Sequence, residues 1–305
     1  MLKIAHAPHY AHPLPVGPTG EPHRFPMLKY ELIPEQLLYE GTCTPANFFA
    51  PQAIDDRWVL SVHTEDYVRQ LKELRLPARM IRRIGFPLSA ELIHREWVIT
   101  QGTVDCSLYA LQYGVSMNVA GGTHHAYADR GEGFCLLNDV AVAARYLLQN
   151  QLANKILVVD LDVHQGNGTA VIFQNEAAVF TFSMHGKDNY PLVKERSDLD
   201  VALPTGTGDE LYLDTLNQLL PALLDEQKPD FLFYISGVDI LATDKLGKLG
   251  VSAAGCKERD EIVFRQALRH GLPVVVAMGG GYSPRIADIV EAHCTTFRLA
   301  QYLFF

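Results

Sequence analysis

The sequence predicts a single α/β domain over residues 1–305, three layers deep, with a mainly parallel central sheet between two helical layers. Three observations carry this prediction. Short runs that are apolar throughout and rich in β-branched residues recur along the chain. Longer stretches with one apolar face separate them, and polar or glycine-rich groups follow the runs. Strands apolar on both faces belong in a parallel sheet covered on both sides, and alternation with helices supplies the crossovers.

The predicted strands are Val115–Ala120, Ile156–Asp160, Val179–Met184, Phe231–Ser236 and Val274–Met278. Asn138–Asn150 reads as a helix because Asn138 is a good N-cap and an apolar face follows. Glu210–Leu224 and Glu258–His270 read likewise, the second closed by Gly271 and Pro273. The PTGTGDE segment (204–210) reads as a turn into a helix, with Asp209 as its candidate N-cap; no P-loop Lys-Ser/Thr supports a phosphate cradle there or at GGGYS. No repeat, low-complexity tract or linker divides the chain.

Composition narrows the function classes. The chain is 48% hydrophobic and 20% charged, with a formal net charge of -9, which argues against nucleic-acid binding. Five scattered cysteines, Cys43, Cys106, Cys135, Cys256 and Cys294, contain no Cys-x-x-Cys pair and point to neither a disulfide framework nor a thiolate metal site. No apolar run approaches a membrane span, and the amino-terminal segment, rich in His and Pro, does not read as a signal peptide. The expected address is the cytoplasm.

Ligands of open parallel sheets sit beyond the carboxyl ends of the strands. GGTHHA, DLDVHQGNG, SMH, SGVD and GGGY all stand there. In DLDVHQGNG the alternation of Asp160, Asp162 and His164 sends three side chains to one face of an extended chain. A lone Asp or His at such a place would simply cap a loop or face water. Three in register on an apolar strand must be paired or hold a cation. A catalytic zinc takes three protein ligands and keeps a position for water. His164 and one of the two aspartates supply two; Asp239 or Asp244 supplies the third. Oxygen and imidazole ligands suit Zn2+, with Fe2+ or Co2+ close behind.

In GGTHHA, Gly121 and Gly122 free the backbone to leave the strand, so that His124 and His125 can both reach one pocket; either imidazole can take a proton near neutrality. Tyr282 follows three glycines and can donate its phenolic proton to a developing oxyanion.

Together these segments resemble the histone deacetylase family. The resemblance runs through HPLP near the start, GGTHHA, GEGFCLLNDVAVAA, DLDVHQGNGT, FSMH, LPTGTGDELYL, SGVDILATDKLG and GGGY, in family order over nearly the whole chain. The HQGNG form and the short length are most similar to the class IV branch and its bacterial relatives. The resemblance implies an arginase/deacetylase-like fold and a zinc-dependent hydrolase that removes acetyl or longer fatty-acyl groups from lysine. It implies Asp162, His164 and Asp244 as zinc ligands, Asp239 as a supporting residue, and Asp160 as the partner of His124. His125 becomes the general base, His124 the electrostatic or acid partner near the leaving amine, and Tyr282 the group polarising the carbonyl. Gly133, Phe134 and Tyr190 would line the channel for the lysine methylenes. A monovalent cation such as K+ would lie near Asp160, Asp162, His164, Ser183 and Met184.

Two residues depart from the commoner family pattern. Gln165 and Asn167 stand where many relatives have His and Asp. An Asn can orient His125 but brings no negative charge, so the imidazolium is less favoured. The competing functions are deacetylation of acetylpolyamines or other small acyl-amines, an inactive module that binds acyl-lysine, and an arginase-like ureohydrolase with two manganese ions. The retained residues fit the last two poorly.

Overall fold

A computed structural model describes residues 1–16 and 20–305. Its eight strands are β1 (Lys3–Ala5), β2 (Phe48–Phe49), β3 (Val115–Asn118), β4 (Ile156–Asp160), β5 (Val179–Gly186), β6 (Leu199–Leu203), β7 (Phe231–Ile235) and β8 (Val274–Ala277). They form one sheet in the order β2-β1-β3-β8-β7-β4-β5-β6, and every pairing is parallel. The five strands legible in the sequence are the five contiguous central ones. The three that escaped reading lie outside them. β1 and β2 are too short to show a pattern, and β6 alternates half-buried and exposed positions as an edge strand does.

Among the described residues ten α-helices accompany the sheet: α1 (Lys29–Tyr39), α2 (Asp56–Val59), α3 (Glu65–Lys72), α4 (Ala78–Ile84), α5 (Ala90–Tyr113), α6 (Asp139–Gln149), α7 (Asn167–Phe173), α8 (Asp209–Gln227), α9 (Ala253–Arg269) and α10 (Ile286–Phe304). α5 packs on β1, β3 and β8 and against α6, which meets α7. α8, α9, α10 and α1 pack in succession as the other layer. The architecture is the three-layer α/β/α arrangement expected.

Local details correct three expectations. Asp209 is not an N-cap: Gly208 holds that position, and the Asp209 carboxylate accepts from the Ser252 amide at 2.7 Å and its hydroxyl at 2.6 Å. It therefore braces the start of α9, which Ser252 caps and which begins at Ala253, five residues before Glu258 and earlier than the pattern suggested. β4 stops at Asp160, so Asp160, Asp162 and His164 do not share one extended face. The Asp162 amide turns back to Asp160 Oδ1 (3.2 Å) and the His164 amide to Asp162 Oδ1 (2.9 Å), local Asx bonds that replace the ladder. The five cysteines are all buried and free. No helix of the described residues is long and apolar enough to cross a membrane.

Candidate active site and metal centre

The parallel register brings the central strand ends level, Asp160 beside both Ser183 and Ile235, and Ile235 beside Ala277. The loops that follow converge on one pocket, lined among others by Gly121, His124, His125, Asp162, His164 and Tyr282.

Its floor is acidic. The ligand atoms of Asp162, His164 and Asp239 all lie within 4.8 Å of one another, and all three residues are buried. His164 Nδ1 stands 3.0 Å from Asp162 Oδ1 and 3.1 Å from Asp239 Oδ2. Asp162 Oδ2 accepts from the Gly280 amide at 2.7 Å, and Asp239 Oδ1 from the Val163 amide at 2.9 Å. Gly280 is required here because a Cβ on it would stand 2.0 Å from Asp239 Oδ2. Asp244 lies outside the closest triad. Its Oδ1 accepts from the Leu246 and Gly247 amides at 2.8 Å and its Oδ2 from the Tyr282 amide at 2.5 Å, which ties it to the base of the tyrosine loop.

The donor set of this floor could hold a metal ion, and its groups act strongly on one another. Burial, and then the Asp162 carboxylate, push Asp239 up to about 7. Burial pushes His164 down, but Asp162 and Asp239 outweigh it and carry the imidazole up to about 10. Against its burial, His124 and His164 hold Asp162 well below the usual carboxylate range, so it stays ionised, and a divalent ion would displace the protons of Asp239 and His164 to take up their oxygen and nitrogen donors.

The two adjacent histidines differ completely in electrostatics. His124 Nδ1 lies 2.6 Å from Asp160 Oδ2. Burial lowers it, but Asp160 and Asp162 prevail and lift it to about 9, so it is a cation at neutral pH. His125 is held well below its ordinary value, by burial first and then by the neighbouring charges of His124 and His164. Its tautomer follows from its partner. Asn167 Nδ2 donates to Tyr127 Oη (3.0 Å) and Glu132 Oε1 (3.2 Å), so Asn167 Oδ1 faces His125 and accepts from Nδ1–H at 2.6 Å. The Nε2 lone pair is left for the pocket.

The walls are aromatic. Tyr190 stands edge-on to His125, ring centroids 5.0 Å apart, and its hydroxyl donates to Glu132 Oε2 at 2.8 Å. Phe134 packs 6.0 Å from Tyr282 and adopts φ 67°, a left-handed conformation that costs a bulky residue about 1 kcal/mol or more. The Gly133 and Phe134 amides hold it there by donating to the Arg83 and Ile84 carbonyls at the end of α4 (3.0 and 2.7 Å). Gly133 itself has φ 59°, and a Cβ would stand 2.5 Å from the His125 ring. Burial, and then Asp239 and Asp162, hold the Tyr282 phenol well above its ordinary value, so it remains a donor. Ser183 and Met184 lie on β5 beside the Asp160 end of β4, where the monovalent ion was expected.

Several supporting residues were invisible in the sequence. Asp139 accepts from the Gly122 and Thr123 amides (3.2 and 2.9 Å) and fixes the loop that carries both histidines. His63 donates from Nδ1 to the Tyr127 carbonyl and accepts at Nε2 from the Asn138 amide, both at 3.0 Å. Lys29, fully buried, donates to the Gly279 carbonyl at 3.2 Å. Arg259 pairs with Asp260 at 2.8 Å and donates to the Gly237 carbonyl below Asp239. Asp139 directly follows Asn138, which the sequence marks as a cap, but no local pattern reveals the partners of these residues.

Known proteins share this fold and its domain. The histone deacetylase domain pattern matches residues 21–297. An uncharacterised protein of Picosynechococcus sp. is 45% identical over 290 residues, covering 95% of this chain and 97% of its own. Histone deacetylase 2 of Arabidopsis thaliana is 28% identical, covering 88% of this chain and 72% of its own. Among solved structures, an HDAC homolog complexed with SAHA superposes with a TM-score of 0.82 at 23% identity, over 97% of this chain and 82% of that one. This chain belongs to the histone deacetylase family.

Proposed function

We propose that the chain is a zinc-dependent deacylase that removes acetyl or longer acyl groups from the ε-amino group of lysine in peptides or proteins. The observation that carries this reading is the meeting, in one pocket, of a neutral His125 with a free Nε2, the Tyr282 phenol and a buried Asp-His-Asp floor that could hold a metal ion. An inactive binding module would have no need to keep all three.

Asp162 and His164 supply two ligands on any assignment. Asp244 is assigned as the third from the family resemblance, and Asp239, nearest in space, braces His164. When bound, the ion supplies Lewis acidity towards the amide carbonyl and lowers the pKa of a water towards ~7. His125 Nε2 accepts the proton of the attacking water, its Nδ1–H remaining on Asn167. Tyr282 donates a hydrogen bond to the carbonyl oxygen as it gains charge. His124, kept protonated by Asp160, adds positive charge beside the reacting centre. The leaving amine takes its proton from one of these two imidazoles. Phe134 and Tyr190 flank the extended methylenes of the lysine, and Asn167 positions the base.

The test is a panel of acyl-lysine peptides of increasing acyl length, with acetylpolyamines alongside, assayed with and without a zinc chelator. Chelator-sensitive turnover of the peptides is expected; chelator-insensitive turnover, or turnover of polyamines alone, would overturn the reading.

A further inference from the structure

The mouth of the channel runs against the charge of the rest of the chain. A protein of formal charge -9 lines the cavity outside Phe134 and Tyr190 with Arg24, Arg83 and Lys248, against one lining carboxylate, Asp188. A second groove on the other side of Tyr282 shares Arg24 and adds His23 and Lys245, with no carboxylate among its described lining residues.

Little of this charge is neutralised within the protein. Arg83 is offset by Glu132, 3.0 Å away. Arg24 lies over the Phe134 ring at 4.9 Å, held at the mouth by a cation–π contact rather than by an acid. Lys248 Nζ donates to the backbone carbonyl of Asp188 at 2.8 Å, while the Asp188 carboxylate accepts from Thr205 at 2.7 Å. Behind the same loop, Lys194 donates to the Asn189 and Pro191 carbonyls at 2.5 and 2.7 Å. Among the described residues no carboxylate forms an ion pair with Arg24, Lys245 or Lys248. Unpaired cations at a channel mouth draw in anions and repel cations.

We infer that the acylated amine is presented on an anionic segment: an acyl-lysine flanked by acidic residues, with Arg24, Lys245 and Lys248 selecting the flanks. This rests on the deacylase reading and names its substrate class. It sets cationic tails and acetylpolyamines at a disadvantage. Exposed charge pairs each contribute about 1.5- to 5-fold in affinity, so several acting together give roughly tenfold.

The experiment compares three acetyl-lysine peptides, identical except for Asp, Ser or Lys at the flanking positions, at low and high salt. The expected order in kcat/KM is acidic, neutral, basic, with about tenfold between the extremes and a spread that shrinks as salt screens the rim. The double variant Arg24→Glu, Lys248→Glu should reverse the order; should it fail to fold, the salt series on the unaltered protein decides. Turnover of the neutral peptide with equal or better turnover of the basic one overturns the rim assignment alone. Turnover of none of the three overturns the deacylase reading itself.

Discussion

The floor and the rim of the channel carry opposite charge and obey different physics. On the floor Asp160, Asp162 and Asp239 are almost wholly buried, and each has a fixed partner: His124, the Gly280 amide, the Val163 amide. Buried charge must be paired, so every floor residue is coupled to its neighbours and any loss is expensive. On the rim Arg24 and Lys248 contact a ring and a carbonyl, and water screens them. Floor residues decide whether the chemistry happens; rim residues can change only which substrate arrives.

Breaking the floor should have the largest effects. Asp162→Ala or His164→Ala should reduce turnover by at least about 10^3-fold with loss of metal, because both the Lewis acid and the activated water go together. Tyr282→Phe should keep the metal and lower kcat by about 10^2- to 10^3-fold with little change in KM, as loss of an oxyanion donor does. Activity near that of the unaltered protein in either case would break the contrast between floor and rim.

Stability against pH tests the packing under the floor. His63 is lowered to about 4, by burial despite its backbone hydrogen bonds. Its folded value lies below the unfolded 6.5, so the unfolded chain binds more protons between these limits. Stability is therefore full above pH 6.5 and falls as pH drops towards 4, by roughly 3 kcal/mol from this residue. Denaturant titrations of the protein and of His63→Gln across that window should show the slope in the first and its loss in the second. Asn167→Asp sharpens the comparison of the two histidines. The added carboxylate favours the His125 imidazolium, so the acid limb of the activity profile should move to higher pH. An unchanged profile would deny Asn167 its positioning role. The smallest effect belongs to the rim: Lys248→Ala should alter stability by no more than about 0.5 kcal/mol.

The same division decides what the sequence reveals. β4, β7 and β8 are legible because both their faces are buried and the residues say so. β1 and β2 are three and two residues long, fixed by neighbours far away in the chain. The helices between residues 29 and 113 go unread although α3 and α5 carry N-caps, Thr64 and Ser89, ahead of buried apolar positions. In the site, the groups proposed to meet substrate or metal stand in motifs at strand ends and can be read there. Groups that hold those motifs cannot. Asp139 looks like one more acid at the start of α6 until the histidine loop donates to it, and Arg259 looks like a surface helix residue until it is found buried beneath the Asp239 loop. The geometry also leaves Asp239 nearer His164 than the resemblance alone implied, which makes the third ligand an experimental matter.

Metal analysis of the purified protein, beside its Asp239→Asn and Asp244→Asn variants, tests the central claim most directly. The account predicts about one zinc per chain, lost in Asp244→Asn, retained more weakly in Asp239→Asn, and matched by activity that a chelator removes. Two manganese ions per chain, or full turnover by metal-free protein, would contradict it.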